Sequence, residues 1–186
     1  MFRFEIRLTD DDFLDFNRFH MFSTDHQGKQ VQSLRFLSSG MMILIWLMTS
    51  FSDDFTWGIF IARGIVYVAF ALLAFFGTKP FMWAVAKRTV KKSLASDDRL
   101  FSREAIIEFS EEGFFETTPV NRTENKYDLI KSIYLVNGRM FYIYINSMQG
   151  YILPVAAFDS AAQYNSFIDF IRRKTGKEII IKNEKR

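Results

Sequence analysis

Two apolar runs in the first half of the chain limit its fold more than any other feature. The first, FLSSGMMILIWLMTSFS (Phe36–Ser52), is closed by Arg35 on one side and Asp53 on the other. The second, GIFIARGIVYVAFALLAFFG (Gly58–Gly77), is interrupted by Arg63 alone. Seventeen helical residues reach about 25 Å, just enough to cross a thin hydrocarbon core. Neither run has a polar face to turn to water, which argues against two buried helices of a soluble bundle. The pair predicts a transmembrane helical hairpin over residues 34–78, joined through DDFTW.

Orientation follows from the cations near the span ends. Arg18, Lys29 and Arg35 precede the first span, and Lys79, Lys87, Arg88, Lys91 and Lys92 follow the second. The loop from Asp53 to Trp57 has none. Both termini are therefore expected in the cytoplasm. Residues 79–99 continue as a juxtamembrane helix and a polar linker. In that helix Lys79, Lys87, Arg88, Lys91 and Lys92 face the membrane surface, and Phe81, Met82 and Trp83 suit the headgroup level. Such a cluster attracts anionic headgroups by about 1 kcal/mol per charge. Fixing topology is the plainer account of it.

Arg63 admits two placements. With a second span from Phe55 to Phe76 it lies two turns inside, and must snorkel or pair with Asp53 or Asp54. With a span from Gly64 to Thr78, Arg63 and Lys79 mark its edges. FTWGIFIA then lies in the interface, where Trp and Phe are comfortable.

The rest of the chain reads as a folded domain. FRFEIRL alternates apolar and charged residues, a half-buried strand, and Thr9 with Asp10–Asp12 reads as a helix start, so residues 1–33 form a cytoplasmic strand and helix. Beyond the linker, AIIEFSEEGFFETTP is strand, turn and strand, with Glu111-Glu112-Gly113 as the turn. Asn137-Gly138 hinges a second hairpin. MFYIYINSMQGYILPV (Met140–Val155) is nearly as apolar as the spans, yet it has period two and is too short for a helical span. It belongs to an antiparallel sheet. Asp159 or Ser160 then caps a helix with Ala161, Tyr164, Phe167, Ile168 and Ile171 on one face, stopped by Gly176. KEIIIK is long enough for a short strand, within a solvated tail over 178–186. Strands closed by one helix over 100–177 resemble a pleckstrin-homology-like (PH-like) barrel or half-barrel. The fold class expected is α+β, a two-helix membrane hairpin plus that cytoplasmic domain.

The residues also resemble the YcxB-like family of bacterial proteins. The likeness lies in EIRLTDDDFLDFNRFH, the two spans, Pro119 before YDLIKSIYLVNGRMFYIY, and the closing YILPVAAF. The family pattern falls on Tyr127, Ile130, Tyr142, Leu153, Pro154 and Phe158. Where relatives carry a basic residue after Leu-Pro, this chain has Val155, Ala156 and Ala157. The resemblance implies the PH-like domain over 100–177 and a bacterial inner membrane, and it says almost nothing of chemistry.

Several function classes lack the residues they need. With no Cys there is no thiolate site or cysteine nucleophile, and His20 and His26, six apart, miss the spacing of a helical ligand pair. A net charge of +3 is too small to argue for nucleic acid. No Gly-rich phosphate loop is present, and the acidic pairs Asp97-Asp98 and Glu111-Glu112 fall in a linker and a turn. The expectation is a non-enzyme without cofactor or metal, its partners the bilayer, weakly bound anionic headgroups and a protein not named by the sequence. A binding or regulatory module at the membrane is the leading reading. An immunity protein that neutralises a membrane-acting toxin is the alternative.

Overall fold

We describe residues 1–51, 56–95, 102–147 and 149–184 of a computed structural model, with the backbone alone for residues 25 and 26. The hairpin loop with Asp53 and Asp54, the linker with Asp97 and Asp98, and the His26 side chain lie outside the described residues. Contacts divide the chain into two compact parts, residues 1–16 with 93–186, and residues 17–92.

Alternation builds the first part. Strand β1 (Phe2–Arg7) turns Phe4 and Ile6 inward and its charges outward, and pairs antiparallel with β2 (Glu104–Phe109). β3 (Phe114–Thr117) and β4 (Arg122–Asn125) complete a four-stranded sheet in the order β1-β2-β3-β4. A second four-stranded sheet, in the order β7-β6-β5-β8, contains β5 (Ser132–Val136), β6 (Met140–Tyr144), β7 (Gly150–Pro154) and β8 (Ile179–Lys182).

This corrects one expectation. One antiparallel sheet curled to a barrel does not form; among the described residues there are two sheets and no closed barrel. The short strand expected in KEIIIK does form, as β8, which takes 179–182 out of the expected tail over 178–186 and lies parallel to β5, Ile133 opposite Ile179. Parallel neighbours need a crossover, and helix α4 (Ala161–Thr175) supplies it. β4 was not anticipated, since Arg-Thr-Glu-Asn carries no apolar alternation.

Local signals explain the elements. The Thr9 hydroxyl accepts from the Asp12 amide at 3.2 Å, and the Thr9 amide donates to the Asp12 carboxylate at 2.8 Å. This reciprocal cap starts α1 (Asp10–Ser23). Asn137 and Gly138 both have positive φ (52° and 63°), as a two-residue turn between twisted strands requires. The β6 and β7 stretch lies in the second sheet and is buried on both faces. One face meets the core, and on the other Phe16 of α1 meets Tyr142 edge-on and stacks on Tyr144, its ring centroid 5.0 and 5.8 Å from theirs. Ser160 caps α4 and Gly176, at φ 63°, stops it. The residues it buries are Phe167, Phe170 and Ile171, while Ala161 is exposed and Ile168 half-buried. The expected face therefore holds at Phe167 and Ile171, with Tyr164 and Ile168 packed half-buried against the same core; Ala161 falls outside it and Phe170 belongs to it.

The second part holds α2 (Asp25–Ser50) and the first 36 of the 39 residues of α3 (Trp57–Ala95). Both helices are long and apolar enough to cross a membrane. α3 runs through Pro80 into the basic segment without a break. α2 and α3 pack antiparallel, with Arg35 Nε donating to Phe75 O (2.8 Å) and Ser39 Oγ to Ala71 O (3.0 Å). Further along, Trp46 Nε1 donates to Phe60 O at 3.3 Å.

Candidate functional site

The residues of the family pattern serve the architecture of the first part. Tyr127, in a helical turn after β4, places its hydroxyl 2.7 Å from Ser110 O and 3.0 Å from Gly113 O, donating between them. Burial holds its pKa above the usual phenol range. It thereby ties the β2–β3 turn to the core. Gly113 is required there because a Cβ would come within 2.6 Å of Asn125 O. Ile130 and Leu153 are fully buried, and Tyr142 is covered by α1. Pro119 is exposed in the β3–β4 turn, and Pro154 ends β7. Phe158 packs on Phe4, ring centroids 4.7 Å apart. Val155–Ala157 form one apolar helical turn, with no cation in it to hold an anion.

The expected surface residues lie along α3. Lys79, Lys87, Arg88, Lys91 and Lys92 are exposed and Trp83 is half-buried. Arg63 makes a contact that neither sequence placement named. Its Nη1 donates to Thr49 O at 2.7 Å. Thr49 is in the last turn of α2, where carbonyls lack intrahelical partners and the helix dipole favours a cation. Among the described residues, no three His, Asp or Glu side chains gather in a group that could hold a metal ion.

One cavity stands apart from these positions. The inward face of the first sheet forms three cross-strand rows. The first is Phe2, Phe109, Phe114 and Asn125, and the second is Phe4, Ile107, Glu116 and Thr123. Further along, Ile6 lies opposite Ala105, and Thr118 and Asn121 line the same end. The core helix α4 fills the space over the first row: Phe167 and Phe170 meet Phe2 at 5.5 and 5.2 Å between centroids. It does not fill the other end, where a cleft of about 450 Å³ opens between β1–β4, the start of β7 and Phe13 and Phe16 of α1.

Glu116 faces this cleft from the second row, flanked by Ile107 and Thr123. Burial raises its carboxyl above the ordinary range. Its charge in turn adds to burial in raising Tyr151, whose hydroxyl accepts from Asn125 Nδ2 at 2.8 Å. The arginines of these strands and of the residue before β2 are engaged elsewhere. Arg3 meets Glu5 and Glu108, Arg7 meets Glu104, Arg103 meets Asp10, and Arg122 lies over the outward Phe115 ring at 5.1 Å. Among the described residues none makes a hydrogen bond or ion pair with Glu116. Sequence reasoning passed over this residue. Its signal is the spacing of two from Phe114, which sets both on one face, but the apolar Phe115 between them hides the phase.

No curated protein and no solved structure matches the chain. Residues 109–171, from the last residue of β2 into α4, match the model of the YcxB-like protein family.

Proposed function

We propose that this chain is a two-span protein of a bacterial inner membrane that holds its two-sheet domain on the cytoplasmic side as a non-enzymatic binding or regulatory module. The supporting observation is the surface of the hairpin. Phe36, Leu37, Met48, Ile65, Leu73 and Phe76 are between 58% and 73% exposed. Removing each such side chain from water is worth about 1.5–3 kcal/mol, so a bilayer suits this surface far better than solvent. The exposed cations beyond Thr78 support the orientation, and they add weak, salt-screened attraction to anionic headgroups. The family-pattern residues are spent on packing and turns, which favours binding over catalysis.

Cell fractionation tests the anchor. The chain is expected to pellet with membranes, survive an alkaline carbonate wash and need detergent for release. Release by carbonate alone would remove the membrane reading.

A further inference from the structure

The geometry points to the cleft at the open end of the two sheets as a binding site for a small organic ammonium ion on an apolar frame, with Glu116 as its counter-ion. This goes beyond the membrane reading and does not depend on it. The cleft has three properties that select such a ligand.

Its volume, about 450 Å³, lies within the range of small-molecule sites, about 300–1,000 Å³. Its walls are divided: Ile6, Leu8, Phe13 and Phe16 offer apolar surface on one side, and Thr118 and Gln149 offer hydrogen-bonding groups on the other. Among the described residues that line it, Glu116 alone is a carboxylate, and no Lys, Arg or His joins it. An inward carboxylate without a cation is costly in a folded protein, because burial disfavours the charged form. An ammonium ion entering the cleft supplies the missing charge, and its hydrogen bonds to the carboxylate are of the charge-assisted kind. The apolar frame displaces water from Ile6, Phe13 and Phe16. Anions are disfavoured by Glu116, and a neutral ligand of the same shape keeps the apolar contacts and ordinary hydrogen bonds but forfeits the charge attraction.

The core explains why the cleft persists. α4 crosses only the Phe2 and Phe4 end of the sheet, and Ala105, with its small side chain, stands opposite Ile6 at the other. A large residue at 105 would fill the space.

The test uses the full chain in nanodiscs of zwitterionic lipid, with empty discs as the control for partitioning. Phenethylamine is the probe and phenethyl alcohol its neutral counterpart, both followed by saturation-transfer NMR at neutral pH. Saturable binding of the amine above the empty-disc signal is expected. Glu116→Gln should weaken it by about tenfold or more, the scale of one charge-assisted hydrogen bond, and the alcohol should bind the wild type correspondingly weakly. Ala105→Phe should abolish amine binding while leaving Glu116 in place, and circular dichroism melting checks that each variant is folded. If Ala105→Phe does not fold, the comparison of Glu116→Gln with wild type still decides. No saturable amine binding, or equal binding of amine and alcohol, or an unchanged affinity in Glu116→Gln, would overturn the proposal. Incorporation into discs reports on the anchor and the titration reports on the cleft, so either can fail alone.

Discussion

Glu116 is the residue at which the demands of folding and of a ligand conflict. Its neighbours across the strands are Ile107 and Thr123, and its burial raises the carboxyl pKa above the ordinary value of 4.5. A raised acid pKa means that the folded state holds the proton more tightly than the unfolded chain does. Stability linked to this group is therefore fully present below the ordinary carboxylate range, and declines as pH rises toward the folded pKa. Glu116→Gln removes that decline. In thermal melts of the ligand-free chain, the variant should gain on the wild type as pH rises above 4.5, with no further gain beyond the folded pKa. A difference independent of pH would show that Glu116 is solvated in the folded state. At this scale sequence reasoning succeeded where chemistry was local: Thr9, Asn137-Gly138, Ser160 and Gly176 all act at the caps and turns expected of them. It failed at Glu116 because inward orientation depends on strand phase, and Phe114-Phe115 supplies two apolar neighbours that fit either phase.

At the scale of elements, the strands with apolar residues were legible and the polar one was not. β4 is a polar edge strand, specified by its pairing to β3 rather than by its own pattern. β8 was legible as a short strand in KEIIIK, but its parallel pairing to β5 depends on the α4 crossover, a long-range consequence that no local window contains. The hairpin helices were legible from length and composition, but their contacts were not. Gly64 is a point of tight approach: a Cβ there would lie 2.8 Å from Trp46 Cζ2, whereas one at Gly77 would meet nothing within 4 Å. Overpacking of this kind costs about 1–3 kcal/mol. The chain has no native Cys, so a Ser39→Cys, Ala71→Cys pair can report the helix contact in membranes. Oxidation should join the two positions within one chain. Adding Gly64→Leu should lower that yield severalfold, and adding Gly77→Leu should leave it unchanged. Equal effects of the two leucines would mean that Trp46 does not seat on Gly64.

For the whole molecule, the proposed membrane anchor assigns each part a side, and the charges give an asymmetric answer. Arg18, Lys29 and Arg35 precede the first span and Lys79, Lys87, Arg88, Lys91 and Lys92 follow the second, against no Lys or Arg from Asp53 to Trp57. Because short flanking segments set orientation through their cations, both termini should stay inside and only the short loop should emerge. A reporter active only outside the cytoplasm should give no signal when fused after Arg186, and a strong one when inserted after Asp54. The basic segment is not the sole determinant of this orientation. Replacing Lys87, Arg88, Lys91 and Lys92 with Gln still leaves Arg18, Lys29, Arg35 and Lys79 opposed by no cation in the loop. The orientation should survive that fourfold change, although the variant should lose its salt-sensitive attraction to anionic bilayers, about 1 kcal/mol for each charge removed. Introducing Lys at Ser52 and Thr56 places cations in the loop instead. Added to the fourfold Gln variant, it should give a mixed population with part of the C-terminal reporter active. An active C-terminal reporter in the unaltered chain would put the two-sheet domain, and the cleft beside Glu116, on the outer face.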